Sequence, residues 1–133
     1  MFRYERKLES LLKILHRLNQ KAGKGVPIIV EGKNDLVALS KLGVKGEVIC
    51  VKNSSQIIVD VLDSVQSKEV ILFVDFDYAG VSLAKDVSRY LEGKSIKVDS
   101  VFWRKIGSLV RRDVRDVEGL PSYLEKLKKR IAY

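Results

Sequence analysis

The residues best placed to do chemistry in this chain are acids that stand where apolar runs stop. In 70-VILFVDFDYAG-80, an apolar run ends at Asp75 and Asp77, and Gly80 follows three positions later. Upstream, 26-VPIIVEGKND-35 halts a similar run at Glu31, with Gly32 directly after it. Carboxylates gathered without His or Cys make an all-oxygen donor set, which suits a hard cation, Mg²⁺ first and Mn²⁺ second. Such a cluster repels itself, so each member acquires a raised pKa unless a cation neutralises it. Asp75 and Asp77 stand two apart, so an extended backbone points both to one side and turns Phe76 the other way into packing. Gly80 lets the chain pass closely from the acidic loop into a helix. Gly32 does the same after Glu31 and leaves backbone N–H groups where a phosphate can sit. Taken alone, the D-x-D pair also reads as an ordinary helix-capping turn.

These acids need a scaffold that brings two strand ends together, and the rest of the sequence supplies one. VPIIV (26–30), GEVICV (46–51), VILFV (70–74) and SIKVDSVFW (95–103) read as four strands, the last alternating as an edge strand does. Helical patterns separate them: DLVALSKLG capped by Asn34 and stopped at Gly43, a helix capped by Asn53 or Ser54 with Ile57, Ile58, Val61, Leu62 and Val65 inward, and one running to about Leu91 before Gly93. Strand–helix alternation with mostly continuous apolar strands predicts an α/β fold with a four-stranded parallel sheet covered on both faces. Ligands of open α/β sheets bind beyond the carboxyl ends of the strands where the order reverses. Convergence of Glu31 with Asp75 and Asp77 therefore predicts the order 2-1-3-4.

Amphipathic helices flank this core. Tyr4, Leu8, Leu11, Leu12, Leu15 and Leu18 form a stripe over residues 2–22, and Leu120, Leu124, Leu127 and Ile131 form another, with Pro121 in its first turn. The expected organisation is one domain over 1–133, with an N-terminal helix in 1–25, a core in 26–103, and a basic segment plus C-terminal helix in 104–133. His16 has no second His or Cys to share a metal, so it is read as a packing or surface residue.

The 133 residues carry 25 Lys and Arg against 17 Asp and Glu, a formal charge of +8, which favours a polyanionic partner such as RNA or DNA over charge for solubility alone. A hydrophobic content of 46% with 32% charged residues excludes a disordered or membrane-embedded chain, and no run is long enough to span a bilayer. The single cysteine, Cys50, fits a reducing cytoplasm and a small buried hydrophobe. Lys33, Arg104, Lys105, Arg111, Arg112 and Arg115 are the expected phosphate contacts, and Tyr78 and Trp103 are candidates for stacking on a base.

V-E-G-K-N-D (30–35), followed some forty residues later by F-V-D-F-D-Y-A-G (73–80), resembles the Toprim domain shared by topoisomerases, bacterial-type primases, OLD-family nucleases and the ribonuclease that matures 5S ribosomal RNA. The resemblance implies a three-layer, Rossmann-like fold. It implies that Glu31 acts as general acid or base or shares in metal binding, and that Asp75 and Asp77 hold Mg²⁺. Asp35 matches an acidic position of primase-type and maturase-type members, and equally reads as a helix-start aspartate. Asp113, Asp116 and Glu118 are further acidic candidates without a fixed alignment. Haloacid-dehalogenase-type phosphatases place D-x-D on the first strand, and response-regulator receivers need a fifth strand, so neither fits. The implied activity is Mg²⁺-dependent phosphodiester chemistry on a nucleic acid, a nuclease or RNA-maturation enzyme. A non-catalytic module that binds Mg²⁺ and nucleic acid within a larger RNA-processing or replication complex is the alternative.

Overall fold

Three-residue and four-residue apolar strands cannot stand alone; they become stable only when both faces are covered, and here both are. The computed structural model describes residues 2–131; Met1, Ala132 and Tyr133, at the ends of the expected 1–133 domain, lie outside the described residues. In chain order the elements are α1 (Phe2–Gly23), β1 (Ile28–Val30), α2 (Lys33–Lys41), β2 (Val48–Cys50), α3 (Ile58–Asp63), β3 (Glu69–Leu72), α4 (Tyr78–Gly93), β4 (Lys97–Asp99), α5 (Val101–Val110) and α6 (Leu120–Ile131). The four strands form one sheet of order β2-β1-β3-β4, parallel throughout. This is the topology that the placement of the acids predicts, and it sets the end of β1 beside the end of β3.

Strand alternation divides the core into two layers. Ile28, Val30, Ile71 and Phe73 face the layer made by α1, α2, α5 and α6, where Leu11, Leu15, Leu18, Leu39, Ile106, Leu120 and Leu127 are buried. Ile29, Val70, Leu72 and Val74 face the opposite layer, where Val61, Leu62, Ala84, Val87 and Leu91 come from α3 and α4. Each such side chain fully buried is worth about 1.5–3 kcal/mol, so the two central strands are the most firmly held part of the molecule. Lys21, in the last turn of α1, ties the helical layer to the sheet by reaching Glu69 at 2.7 Å and Asp99 at 2.5 Å.

Several local expectations are corrected. The run 95–103 holds a strand only over Lys97–Asp99, and Val101, Phe102 and Trp103 already belong to α5. The Asp99 carboxylate accepts the Val101 N–H at 2.9 Å and turns the chain out of the sheet, and Phe102, Ile106 and Val110 then repeat at helical spacing. Asn34 is not a cap, because α2 begins two residues earlier than expected, at Lys33, with Gly32 as its N-cap. Asn53 closes a turn through the N–H groups of Ser55 and Gln56, and α3 starts only at Ile58. Ile57, expected inward, is 66% exposed, and Leu12 of the α1 stripe is 42% exposed.

Candidate metal and phosphate site at the carboxyl edge

β1 delivers Glu31 and β3, through Phe73 and Val74, delivers Asp75 to the same edge of the sheet. The D-x-D pair does not owe its geometry to strand alternation. β3 ends at Leu72, and Phe76 packs on the same layer as Phe73, its ring edge-on at 6.2 Å and 88°. What orients Asp77 is the helix that follows: it is the N-cap of α4 and accepts the Gly80 N–H at 2.8 Å. The capping role and a ligand role thus fall on one side chain. Gly80 is required by closeness, since a Cβ there would lie 2.0 Å from the Asp75 carbonyl oxygen. On the other side of Phe76, a Cβ on Gly107 would meet its ring at 3.0 Å.

Asp75 is half-buried and held from a distant part of the chain. Its Oδ1 accepts the Val117 N–H at 2.9 Å, and its carbonyl accepts the Trp103 indole N–H at 3.3 Å. The Phe76 N–H in turn donates to the Arg115 carbonyl at 2.7 Å, so residues 115–117 are stitched to the acidic loop. Burial pushes the Asp75 carboxyl up to about 6; the Val117 N–H opposes this, and the charges of Asp35, Glu31 and Asp77 add to it. Asp35 is buried, the one buried charged side chain among the described residues. It accepts the Gly32 N–H at 3.0 Å, and its carboxyl is raised chiefly by burial and further by Glu31, Glu118 and Asp116.

Asp35, Glu31 and Asp77 all lie near enough to Asp75 to help raise its carboxyl, and Glu31, Glu118 and Asp116 act in the same way on Asp35. Asp113, on the same connecting segment, is turned elsewhere, toward Lys7 at 3.6 Å and the Tyr123 hydroxyl at 2.9 Å. Sequence reasoning missed Lys52. It follows β2, donates its N–H to the Glu31 carbonyl at 2.8 Å and sets its Nζ 2.9 Å from Glu31 Oε2. The signal was present, for a basic residue beyond the neighbouring strand end lies opposite any acid beyond the first. Gly32 is also engaged, because its N–H is taken by Asp35 and is not left open for a phosphate.

Among the described residues, no three acidic, His or Cys side chains close on one point as a ready metal cage. The donor set nonetheless fits a hard divalent ion. Each carboxylate has a second oxygen beyond the one already engaged, and a cation would offset both the burial that lifts Asp75 and the smaller repulsion from its acidic neighbours. Glu31, Asp75 and Asp77, with Asp35 behind them, are the residues that would hold it.

Of the expected phosphate contacts, Lys33, Arg104, Lys105, Arg111, Arg112 and Arg115 are all exposed. Lys33 opens α2 beside Glu31 and Arg115 lies beside Phe76, whereas Arg112 lines a separate groove between α1, α5 and α6. Tyr78 is 90% exposed next to Asp77 and remains free to stack; Trp103 is committed to packing and to Asp75.

A wholly parallel sheet of order 2-1-3-4 with clustered acids beyond its central strands defines a class of open α/β domain whose carboxyl edge faces the ligand. Residues 25–102 match the Toprim domain family. The chain is 40% identical over 119 residues to a UPF0292 protein of Methanocaldococcus jannaschii, covering 89% of this chain and 92% of that one. It is 29% identical to a UPF0292 protein of Methanosarcina barkeri over 98% of this chain and 91% of the other. A solved structure of an Aquifex aeolicus protein superposes with a TM-score of 0.65 at 29% identity, covering 80% of this chain and 94% of that one. The chain therefore belongs to the Toprim domain family and, with these near full-length relatives, to the UPF0292 proteins.

Proposed function

We propose that this chain is a Toprim module that takes up Mg²⁺, or Mn²⁺, at its carboxyl edge and binds nucleic acid there, serving a larger RNA-processing or replication complex without cleaving the strand itself. The observation that carries this reading is the pairing of Glu31 with Lys52 at 2.9 Å. By the family resemblance Glu31 is the residue a cleavage reaction would use as acid or base, and here one of its carboxylate oxygens is already engaged by the Lys52 ammonium group. A bound divalent ion would supply Lewis-acid polarisation of a phosphate oxygen. Asp75 and Asp77, fixed by the Val117 and Gly80 N–H groups, would hold the ion, and the exposed Lys33 and Arg115 would supply positive charge to the phosphate. Among the described residues no helix is long and apolar enough to cross a membrane.

One observation favours turnover. Burial pushes the Asp75 carboxyl up to about 6, and acids shifted toward neutral pH in this way gather at catalytic sites. Incubation with structured RNA, single-stranded DNA and supercoiled plasmid in Mg²⁺ or Mn²⁺ separates the readings. The module gives salt-sensitive binding and intact substrates. Cleavage that vanishes in Glu31→Gln and Asp75→Asn, with folding retained, overturns the module in favour of a nuclease.

A further inference from the structure

α1, α5 and α6 meet along a groove of about 880 Å³ on the helical layer, apart from the acidic edge. Its walls carry Arg3 and Lys7 from α1, Arg112 from the turn after α5, and Lys126 and Arg130 from α6, against the single acid Asp113. Lys7 is the one of these cations with an acidic partner, Asp113 at 3.6 Å, and that carboxylate also accepts the Tyr123 hydroxyl at 2.9 Å. Among the described residues, Arg3, Arg112, Lys126 and Arg130 have no carboxylate within ion-pair reach. Two of them crowd one aromatic ring, with the Arg130 guanidinium 4.8 Å and the Arg3 guanidinium 5.3 Å from the centre of Tyr4.

Five cations facing one carboxylate repel one another, and packing them around a concave surface raises that cost. Solubility requires charge spread over the surface and gives no reason to concentrate it in a groove. The shape and charge together match a chain of phosphates. Tyr123, half-buried in the wall, adds a flat surface of the kind on which bases of a single strand rest. The segment 111–119 links this groove to the acidic edge: Arg112 and Asp113 belong to the groove, and Val117 holds Asp75. Asp113 and Val117 are four residues apart, a chain path of at most about 14 Å, so a strand of a few nucleotides reaches from one to the other.

We propose that the α1–α5–α6 groove is the main binding site for a single nucleic-acid strand, gripping its phosphates independently of metal and leading it toward the carboxyl edge. This rests on the nucleic-acid reading of the domain and locates the main contact apart from the acidic edge. The groove binds in EDTA, whereas contact at the acidic edge depends on the divalent ion.

The test is fluorescence anisotropy with labelled single-stranded RNA and DNA oligonucleotides across a salt series, in EDTA and in Mg²⁺. Lys126→Glu with Arg130→Glu reverses two groove charges, and Lys128→Glu with Lys129→Glu makes the same change on α6 outside the groove. Circular dichroism checks folding, which is expected to survive because all four residues are exposed. The groove pair is expected to lose more than about tenfold in affinity and, at about 0.7 per phosphate contact, to flatten the log–log salt slope by about 1.4; the control pair stays within about twofold. The milder Lys126→Ala is expected to lose a smaller amount in the same direction. Equal losses in both pairs, or binding that requires Mg²⁺ and survives the groove changes, overturns the groove while leaving the domain a nucleic-acid binder. A wild-type chain that binds no oligonucleotide at low salt, with or without Mg²⁺, overturns both.

Discussion

The carboxyl edge of the sheet and the groove between α1, α5 and α6 carry opposite charge and hold it by opposite means. At the edge every central acid is fixed: Asp77 by Gly80, Asp75 by Val117, Asp35 by Gly32 and Glu31 by Lys52. In the groove most cations face no acid within reach among the described residues, and they project from elements whose buried sides are occupied with packing. The formal charge of +8 is therefore an uneven arrangement, a fixed anionic edge beside a loosely held cationic wall. A fixed edge suits a small ion, whose ligands must be placed; a pliable wall suits a strand, whose phosphates need only charge at intervals.

The largest effect that sharpens this contrast is expected at Gly80. With its Cβ position 2.0 Å from the Asp75 carbonyl oxygen, Gly80→Ala forces backbone apart and is expected to cost about 3 kcal/mol or more in urea unfolding, at the upper end for overpacking. A cost under about 1 kcal/mol, the range of ordinary surface change, contradicts a rigid edge.

Next comes the ion itself. Mg²⁺ at a hundred times its dissociation constant is expected to add about 2.7 kcal/mol of stability, read as a rise of several degrees in the thermal midpoint. Asp75→Asn should remove that response without altering binding of a strand to the groove in EDTA.

The pH dependence follows from Asp75. Its carboxyl is raised to about 6 in the folded chain against an ordinary value of 3.8 when unfolded, so the folded state binds the proton more tightly. That contribution to stability is complete below about pH 4 and is lost as pH climbs through 6. Without divalent ions, melting against pH should fall across this window, and Asp75→Asn should flatten the fall. Mg²⁺ should restore stability on the alkaline side, where the carboxylate is charged.

The smallest effect on stability is expected for Lys52→Ala. The ion pair with Glu31 is partly exposed on both sides, so its loss should cost less than about 1 kcal/mol. Its value lies in what it frees: an unlatched Glu31 should bind Mg²⁺ more tightly by calorimetry. Nuclease activity appearing in Lys52→Ala and absent from the parent chain would show that the lysine alone holds the edge silent.

The order 2-1-3-4 was legible because the reasoning ran from chemistry to topology: acids after the first and third strands are useful together only if those strands are neighbours. The position of β1 and β3 was equally plain, since short continuous runs such as VPIIV and VILFV have no amphipathic reading. The fourth strand was not, because SIKVDSVFW carries two apolar patterns in series, and the boundary is set by Asp99 capturing the Val101 N–H. The segment 104–119 hid its role for a related reason. Val114 and Val117 are buried and Val117 supplies the N–H to Asp75, but a contact between residues 42 apart in sequence leaves no local trace. Lys52 carries no local mark of its role, because its partner Glu31 comes near only once β2 lies beside β1.

The most direct test of the central claim, that the carboxyl edge takes up a divalent ion through Glu31, Asp75 and Asp77, is calorimetric titration of Mn²⁺ into the chain and into Asp75→Asn at neutral pH. Saturable binding by the parent chain, lost in the folded variant, is the expected result. Equal heats from the two proteins, or none from either, would contradict it.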